Sequence, residues 1–206
     1  MSEATRILAI RHGQTAWNAD GRIQGHTDIG LDDTGQWQAE RLAEALQGEA
    51  LHALYSSDLL RARQTAQLLQ RFSTESLRLD TGLRERSFGR LEGLSFAEIE
   101  ERWPQEAARW RQRDADFAPG GGETLKAFYA RCVATAARLA AAHAGQTIVL
   151  VAHGGVLDML YRAAAGLDLA APRRWELGNA SVNRLLYSPE GFSIVAWNER
   201  MHLEQR

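Results

Sequence analysis

The sequence predicts a three-layer α/β/α sandwich on a mostly parallel sheet, with a C-terminal antiparallel hairpin and a small helical cap insertion. Three observations predict it. Short apolar runs alternate with longer segments of helical period, as in strand–helix–strand units. The last two apolar stretches, Val182 to Tyr187 and Phe192 to Trp197, follow each other across Ser188-Pro189-Glu190-Gly191, a hairpin signal. The length, 206 residues, suits one core bearing an insertion better than two equal domains.

Taken in order, Ile7-Leu8-Ala9-Ile10 is a buried strand ended at Gly13, and the polar stretch from Gln14 to Gly30 reads as loop. Asp32 or Asp33 starts a helix that sets Gly35, Ala39, Leu42, Ala43 and Leu46 on one face and ends near Gly48. Leu51 to Tyr55 is a second strand. Ser56-Ser57-Asp58 then offers N-cap chemistry for a helix to about Arg71, with Leu59, Ala62, Ala66 and Leu69 as its core face. Phe88 to Gly122 differs in texture. Ser95-Phe96-Ala97-Glu98 is a capping box, Pro104 breaks the helical run, and Trp103, Trp110 and Phe117 sit among arginines, so the insertion at 88–122 reads as two short helices within a single domain, 1–206. Thr124 to Ala144 is a helix with Leu125, Phe128, Tyr129, Cys132, Ala136 and Leu139 on one stripe. Thr147 to Ala152 is a further buried strand, leading through His153-Gly154-Gly155 into a helix that ends near Gly166.

Composition narrows the function classes. A net charge of −2 and a pI near 6.3 argue against binding nucleic acid through global charge. Cys132 is the only cysteine, which excludes an intrachain disulfide framework and a thiolate metal cluster and suits a reducing compartment. No apolar run approaches the ~20 residues that span a bilayer, and Met1 to Arg6 carries no apolar signal region. We therefore expect a cytoplasmic protein with no membrane partner.

The chemistry starts at two strand ends with one grammar, Ala9-Ile10-Arg11-His12-Gly13 and Val151-Ala152-His153-Gly154-Gly155. Open α/β folds put ligand crevices at such ends, and glycine lets a ligand approach the backbone. A histidine beside a fixed cation is pushed towards its neutral, nucleophilic form, while arginine offers bidentate bonding to an oxyanion. An isolated Arg-His-Gly is equally an ordinary strand end. His153 sits where a helix begins, a position that attracts anions. Arg61 falls in the first turn of its helix, where a cation opposes the macrodipole by up to ~1 kcal/mol and a bound anion would compensate. Taken alone, Arg61 reads more readily as a solvated side chain.

At these residues the chain resembles the histidine phosphatase superfamily, branch one, also called phosphoglycerate mutase-like. The matching motifs are Arg11-His12-Gly13-Gln14-Thr15-Ala16-Trp17-Asn18, Gln24-Gly25, Ser57-Asp58-Leu59-Leu60-Arg61-Ala62-Arg63-Gln64-Thr65-Ala66, and Leu83-Arg84-Glu85 with Gly89 and Glu92-Gly93. Pro119-Gly120-Gly121-Gly122-Glu123 and Ala152-His153-Gly154-Gly155-Val156-Leu157 complete them, in family order over nearly the whole chain. The resemblance implies that His12 is a nucleophile carrying the phosphoryl group, and that Arg11, Arg61 and a protonated His153 bind phosphate. It implies Asn18, Gln24, Gly25 and Gly154 as substrate-binding positions, Glu85 as proton donor and acceptor, and no metal or cofactor. Outside the motif, Glu85 would read as a surface carboxylate paired with Arg84 or Arg86.

The implied activity is a metal-independent phosphomonoesterase acting on a small phosphorylated metabolite. The alternatives are a phosphoglycerate mutase or a non-catalytic phospho-ligand sensor. The mutases of the family carry a longer insertion and tail and usually Asn where Gly155 stands, which favours the hydrolase. Cys132 and Arg138 have the Cys-x5-Arg spacing of cysteine phosphatases, but the alanine-rich helix between them lacks the glycine-rich cradle that chemistry needs. His26, His52, His143 and His202 form no short metal-ligand pair. His26, after Gln24-Gly25, is open to a substrate contact. Trp103, Trp110 and Phe117 either wall the substrate or pack the cap. Asn179-Ala180-Ser181 matches a glycosylation sequon, without meaning in a cytoplasmic chain.

Overall fold

A computed structural model describes residues 3–73 and 76–204. Its centre is a six-stranded sheet in the order β3-β2-β4-β1-β5-β6. The strands are β1 Thr5–Arg11, β2 Ala53–Ser56, β3 Leu77–Leu79, β4 Thr147–Ala152, β5 Val182–Ser188 and β6 Gly191–Glu199. β1, β2, β3 and β4 run parallel, and β5 and β6 add the antiparallel hairpin.

Side-chain alternation along each strand builds two cores. Ile7 and Ala9 of β1, Ala53 of β2, and Ile148 and Leu150 of β4 face one side; Leu8, Ile10, Leu54, Val149 and Val151 face the other. The first core is closed by α6 (Leu125–Ala141) and α7 (Gly154–Ala165), through Phe128, Cys132, Ala136, Leu157 and Leu160. The second is closed by α2 (Asp33–Ala45) and α3 (Leu60–Leu69), through Leu42, Ala43, Ala62, Ala66 and Leu69. Each fully buried leucine or isoleucine contributes about 1.5–3 kcal/mol of transfer free energy. The α/β/α layering is thus the direct product of strands apolar on both faces.

The remaining helices are α1 (Ala16–Ala19), α4 (Phe96–Arg102) and α5 (Pro104–Arg111). α1 is a single turn inside the stretch read as loop, held by a capping box of Thr15 and Asn18. The capping box at Ser95 and Glu98 forms as read, and Pro104 stands at the start of α5, where a missing N–H costs nothing. α4 and α5 enclose a small separate core of Leu91, Ile99 and Ala107, lined by Phe88, Phe96, Trp103 and Trp110.

One local expectation needs correction, and one strand escaped the sequence reading. The helix after β2 is not capped by Ser57 or Asp58. It begins later, and Asp28 reaches from the preceding loop to accept the Leu60 N–H at 2.6 Å. Asp58 instead takes both ends of the Arg84 guanidinium, a bidentate pair that holds the Asp58 carboxyl below its ordinary range against the opposing effect of burial. β3, three residues long and largely exposed, is too short to carry a periodic signal.

Candidate active site

The register of β1 on β4 pairs Arg11 with Ala152, so the next residues, His12 and His153, leave neighbouring parallel strands together. The chain then diverges, towards α2 on one face after β1 and towards α7 on the other after β4. This is the crevice that open α/β sheets create at a switch point. The two imidazole centroids lie 5.1 Å apart, and both rings are buried.

The tautomer of His12 is set by one contact. Its Nδ1 lies 2.7 Å from the carbonyl oxygen of Gly13, which can only accept, so Nδ1 carries the hydrogen and Nε2 keeps its lone pair. Burial, then Arg61 and Arg11, push His12 well below the ordinary histidine range, outweighing that hydrogen bond. The ring is a neutral nucleophile. Gly13 is held in turn by its N–H to Thr65 Oγ1 at 3.0 Å, and any Cβ there would collide with the Gly35 backbone of α2.

Arg61 and Arg11 flank the rings. Arg61 has no solvent exposure; Nη2 donates to Gly25 O at 2.8 Å and Nη1 to Thr27 O at 3.0 Å, while Nε has no partner. Its position in the first turn of α3 is therefore not a solvated one. Arg11 donates through Nη1 to Leu177 O, its Nε is also unpartnered, and burial pulls its pKa down to about 10 despite Glu85 nearby. A buried and a half-buried cation without a full set of acceptors carry a desolvation cost, and an oxyanion between them would offset it.

The charge of His153 depends on whether an anion is bound. Burial, Arg61, His12 and Arg11 hold His153 well below the ordinary range, and neither ring nitrogen has a partner. In the protein alone His153 is neutral, because a third positive charge in this desolvated cluster has nothing to balance it. An arriving dianion reverses that balance.

Glu85 turns away from Arg84 and from the Arg86 side chain. Oε2 accepts the backbone N–H of Gly155 in the first turn of α7 at 2.9 Å, and Oε1 accepts the Arg86 N–H at 2.8 Å. Its main chain is fixed by Arg131, which donates to the carbonyls of Gly82, Arg84 and Glu85 while pairing with Glu123, and by His26 Nε2, which donates to the Glu85 carbonyl at 2.8 Å. Glu85, Gly154, Gly155 and Arg11 line one cleft of about 530 Å³ together with Arg173, Trp175 and Leu177.

The other named positions play varied parts. The oxygen of Asn18 is occupied by the Thr15 N–H and by Asn179 Nδ2, leaving its own NH₂ group for any anion. Gln24 is buried with Oε1 unpartnered, and the Gly25 carbonyl is committed to Arg61. Trp110 stacks on Phe88 and lines a smaller cavity of about 230 Å³ beside Glu85; Trp103 lies under Arg90, and Phe117 is buried under Arg109.

Three features escaped the sequence reading. Glu92 accepts four hydrogen bonds, from the N–H groups of His26, Thr27 and Phe88 and from Thr27 Oγ1, and so fixes the loop whose carbonyls orient Arg61. Arg131 anchors the Glu85 segment. Asn179 donates to His12 O at 3.0 Å, and Ala180, buried with φ of 53°, donates its N–H to the Arg11 and His12 carbonyls. The sequon is thus a clip on the end of β1. Only Glu92 carried a signal, inside the motif with Gly93.

No group of three or more His, Cys, Asp or Glu residues among those described is placed to hold a metal ion. No described helix is long and apolar enough to cross a membrane.

Comparison with known proteins agrees with this geometry. The model of the histidine phosphatase superfamily (branch 1) matches residues 7–200. The chain is 39% identical over 204 residues to phosphoglycerate mutase-like protein 4 of Arabidopsis thaliana, covering 97% of this chain and 87% of that one. It is 36% identical over 206 residues to the metal-independent phosphoserine phosphatase of the same plant, covering 98% and 84%. Among solved structures, mycobacterial glucosyl-3-phosphoglycerate phosphatase in complex with VO3 matches with a TM-score of 0.83 and 36% identity, over 94% of this chain and 98% of that one.

Proposed function

The chain belongs to the histidine phosphatase superfamily (branch 1), and from that premise we propose a role for each residue of a phosphomonoesterase that hydrolyses a small phosphorylated metabolite. Phosphate-monoester hydrolysis is among the slowest uncatalysed reactions, so the site must neutralise a dianion and align an in-line attack. Arg11, Arg61 and His153 receive the phosphoryl oxygens, and His153 gains a proton as the dianion binds. Nε2 of His12 attacks phosphorus and the ester P–O bond breaks. The departing oxygen takes a proton from Glu85, leaving a phosphohistidine. In the second step the Glu85 carboxylate takes a proton from water as its oxygen bonds that phosphorus, the P–N bond to His12 breaks, and inorganic phosphate leaves with His12 and protonated Glu85 restored. No metal enters either step.

The observation that carries this reading is the state of His12: neutral, with Nδ1–H engaged by Gly13 O and Nε2 free. Residues 88–122 serve as a cap within one domain, with Trp110 as the part of it that meets substrate. A reducing cytoplasm suits a chain whose one cysteine, Cys132, is a buried free thiol on α6. A direct test compares release of inorganic phosphate from 3-phosphoglycerate with its conversion to 2-phosphoglycerate. Faster hydrolysis is expected; faster interconversion would make the protein a mutase.

A further inference from the structure

Beyond the phosphate pocket, two cavities meet. The larger is lined by Arg11, Glu85, Gly155, Arg173, Trp175 and Leu177; the smaller by Arg86, Phe88, Trp110, Arg113, Phe128 and Asp158, among others. Glu85, Gly155 and Arg173 line both. In the reading above, Glu85 marks the leaving oxygen. The rest of the substrate therefore lies where these cavities join.

Besides Arg11, three arginines line these cavities, and two of them are already committed. Arg86 donates to the carbonyls of Glu123 and Phe117. Arg113 donates to Leu169 O and pairs with Asp158, which is buried and also holds Arg162. Arg173 differs: among the described residues it makes no ion pair or hydrogen bond, although it is close enough to Arg11 to push against that cation's charge. Two like charges facing one cleft repel, and a second anion on the ligand removes the penalty. A lone guanidinium, with Glu85 and Glu176 lining the same cleft, matches one planar monoanion and not a second phosphate dianion.

We propose that Arg173 is a specificity-determining group that binds a carboxylate of the substrate close to its phosphoester oxygen, so that the substrates are phosphorylated acids. This rests on the phosphomonoesterase reading. The segment before β5 supplies the group, and the apolar wall of Phe88 and Trp110 takes whatever lies beyond the acid.

The test compares 3-phosphoglycerate with glycerol 3-phosphate, which replaces the carboxylate by a hydroxymethyl group, in the wild type, Arg173→Gln and Arg173→Lys. The readout is the ratio of kcat/KM for the two esters within each protein, so losses of folded or active enzyme cancel. A charge-assisted bidentate contact predicts a wild-type ratio of about 10 to 100 in favour of the acid. Arg173→Gln should bring it near 1, chiefly through KM, and Arg173→Lys should fall between. A wild-type ratio near 1, or one unchanged in Arg173→Gln, overturns the proposal. A wild type inert even on p-nitrophenyl phosphate would instead sink the phosphomonoesterase reading itself.

Discussion

The backbone N–H of Gly155 donates to Oε2 of Glu85 at 2.9 Å, and a Cβ at position 155 would overlap Oε1 of the same carboxylate. Glycine there is what lets the Glu85 carboxyl group approach the first turn of α7. The mutases of the family usually carry Asn at this position. This chain uses the space for the Glu85 carboxylate.

Gly155→Asn should therefore act as a partial loss of Glu85. The carboxylate must swing away, and kcat should fall about 10²-fold while the protein stays folded by circular dichroism. Glu85→Gln should share its fingerprint: a larger loss with alkyl phosphates, whose alkoxides need a proton, than with p-nitrophenyl phosphate. Equal losses across leaving groups would mean that Glu85 positions substrate and moves no proton.

Glu92 should matter to phosphate affinity although it touches no substrate in this account. It fixes the backbone of His26 and Thr27, and the neighbouring Gly25 and Thr27 carbonyls aim the Arg61 guanidinium. Burial alone would raise its pKa, but the hydrogen bonds outweigh that and hold it below the ordinary carboxylate range. Glu92→Ala should weaken inhibition by vanadate about tenfold, with Glu92→Gln partly restored. Unaltered inhibition would separate the loop from the Arg61 geometry.

Stability should fall as pH drops below about 6.5. His12 and His153 have depressed pKa values in the fold, so between the folded values and the unfolded value of about 6.5 the unfolded chain binds more protons. Their contribution is complete above about 6.5 and is lost going down, by up to about 1.4 kcal/mol per histidine per pH unit. The depressed carboxylates Asp58 and Glu92 act lower, as pH falls through and below about 4. Thermal denaturation from pH 7.5 to 5.5 checks this: sulfate, a dianion throughout, should raise Tm more at pH 5.5 than at 7.5. A larger sulfate effect at pH 7.5 would contradict neutral rings.

The sheet and its helices were legible because β1 and β4 are apolar on both faces and α2, α6 and α7 have clear stripes, with Gly166 ending α7 in the left-handed region. The histidine pair was legible because two strands end in the same way. The features that stayed hidden depend on distant partners. Asp28 caps α3 across 32 positions, and Asn179 meets His12 across 167. Neither leaves a local pattern. The neutral state of His153 in the protein alone was hidden for a related reason: burial beside two arginines is a property of the assembled pocket.

The most direct test of the account is the phosphoenzyme. Protein mixed with ³²P-labelled phosphomonoester and quenched should carry label on His12 that is lost in acid and kept in base, as a phosphoramidate requires, and labelling should survive a chelator. His12→Ala should carry none. Equal labelling of His12→Ala, or label stable in acid, would contradict the central claim.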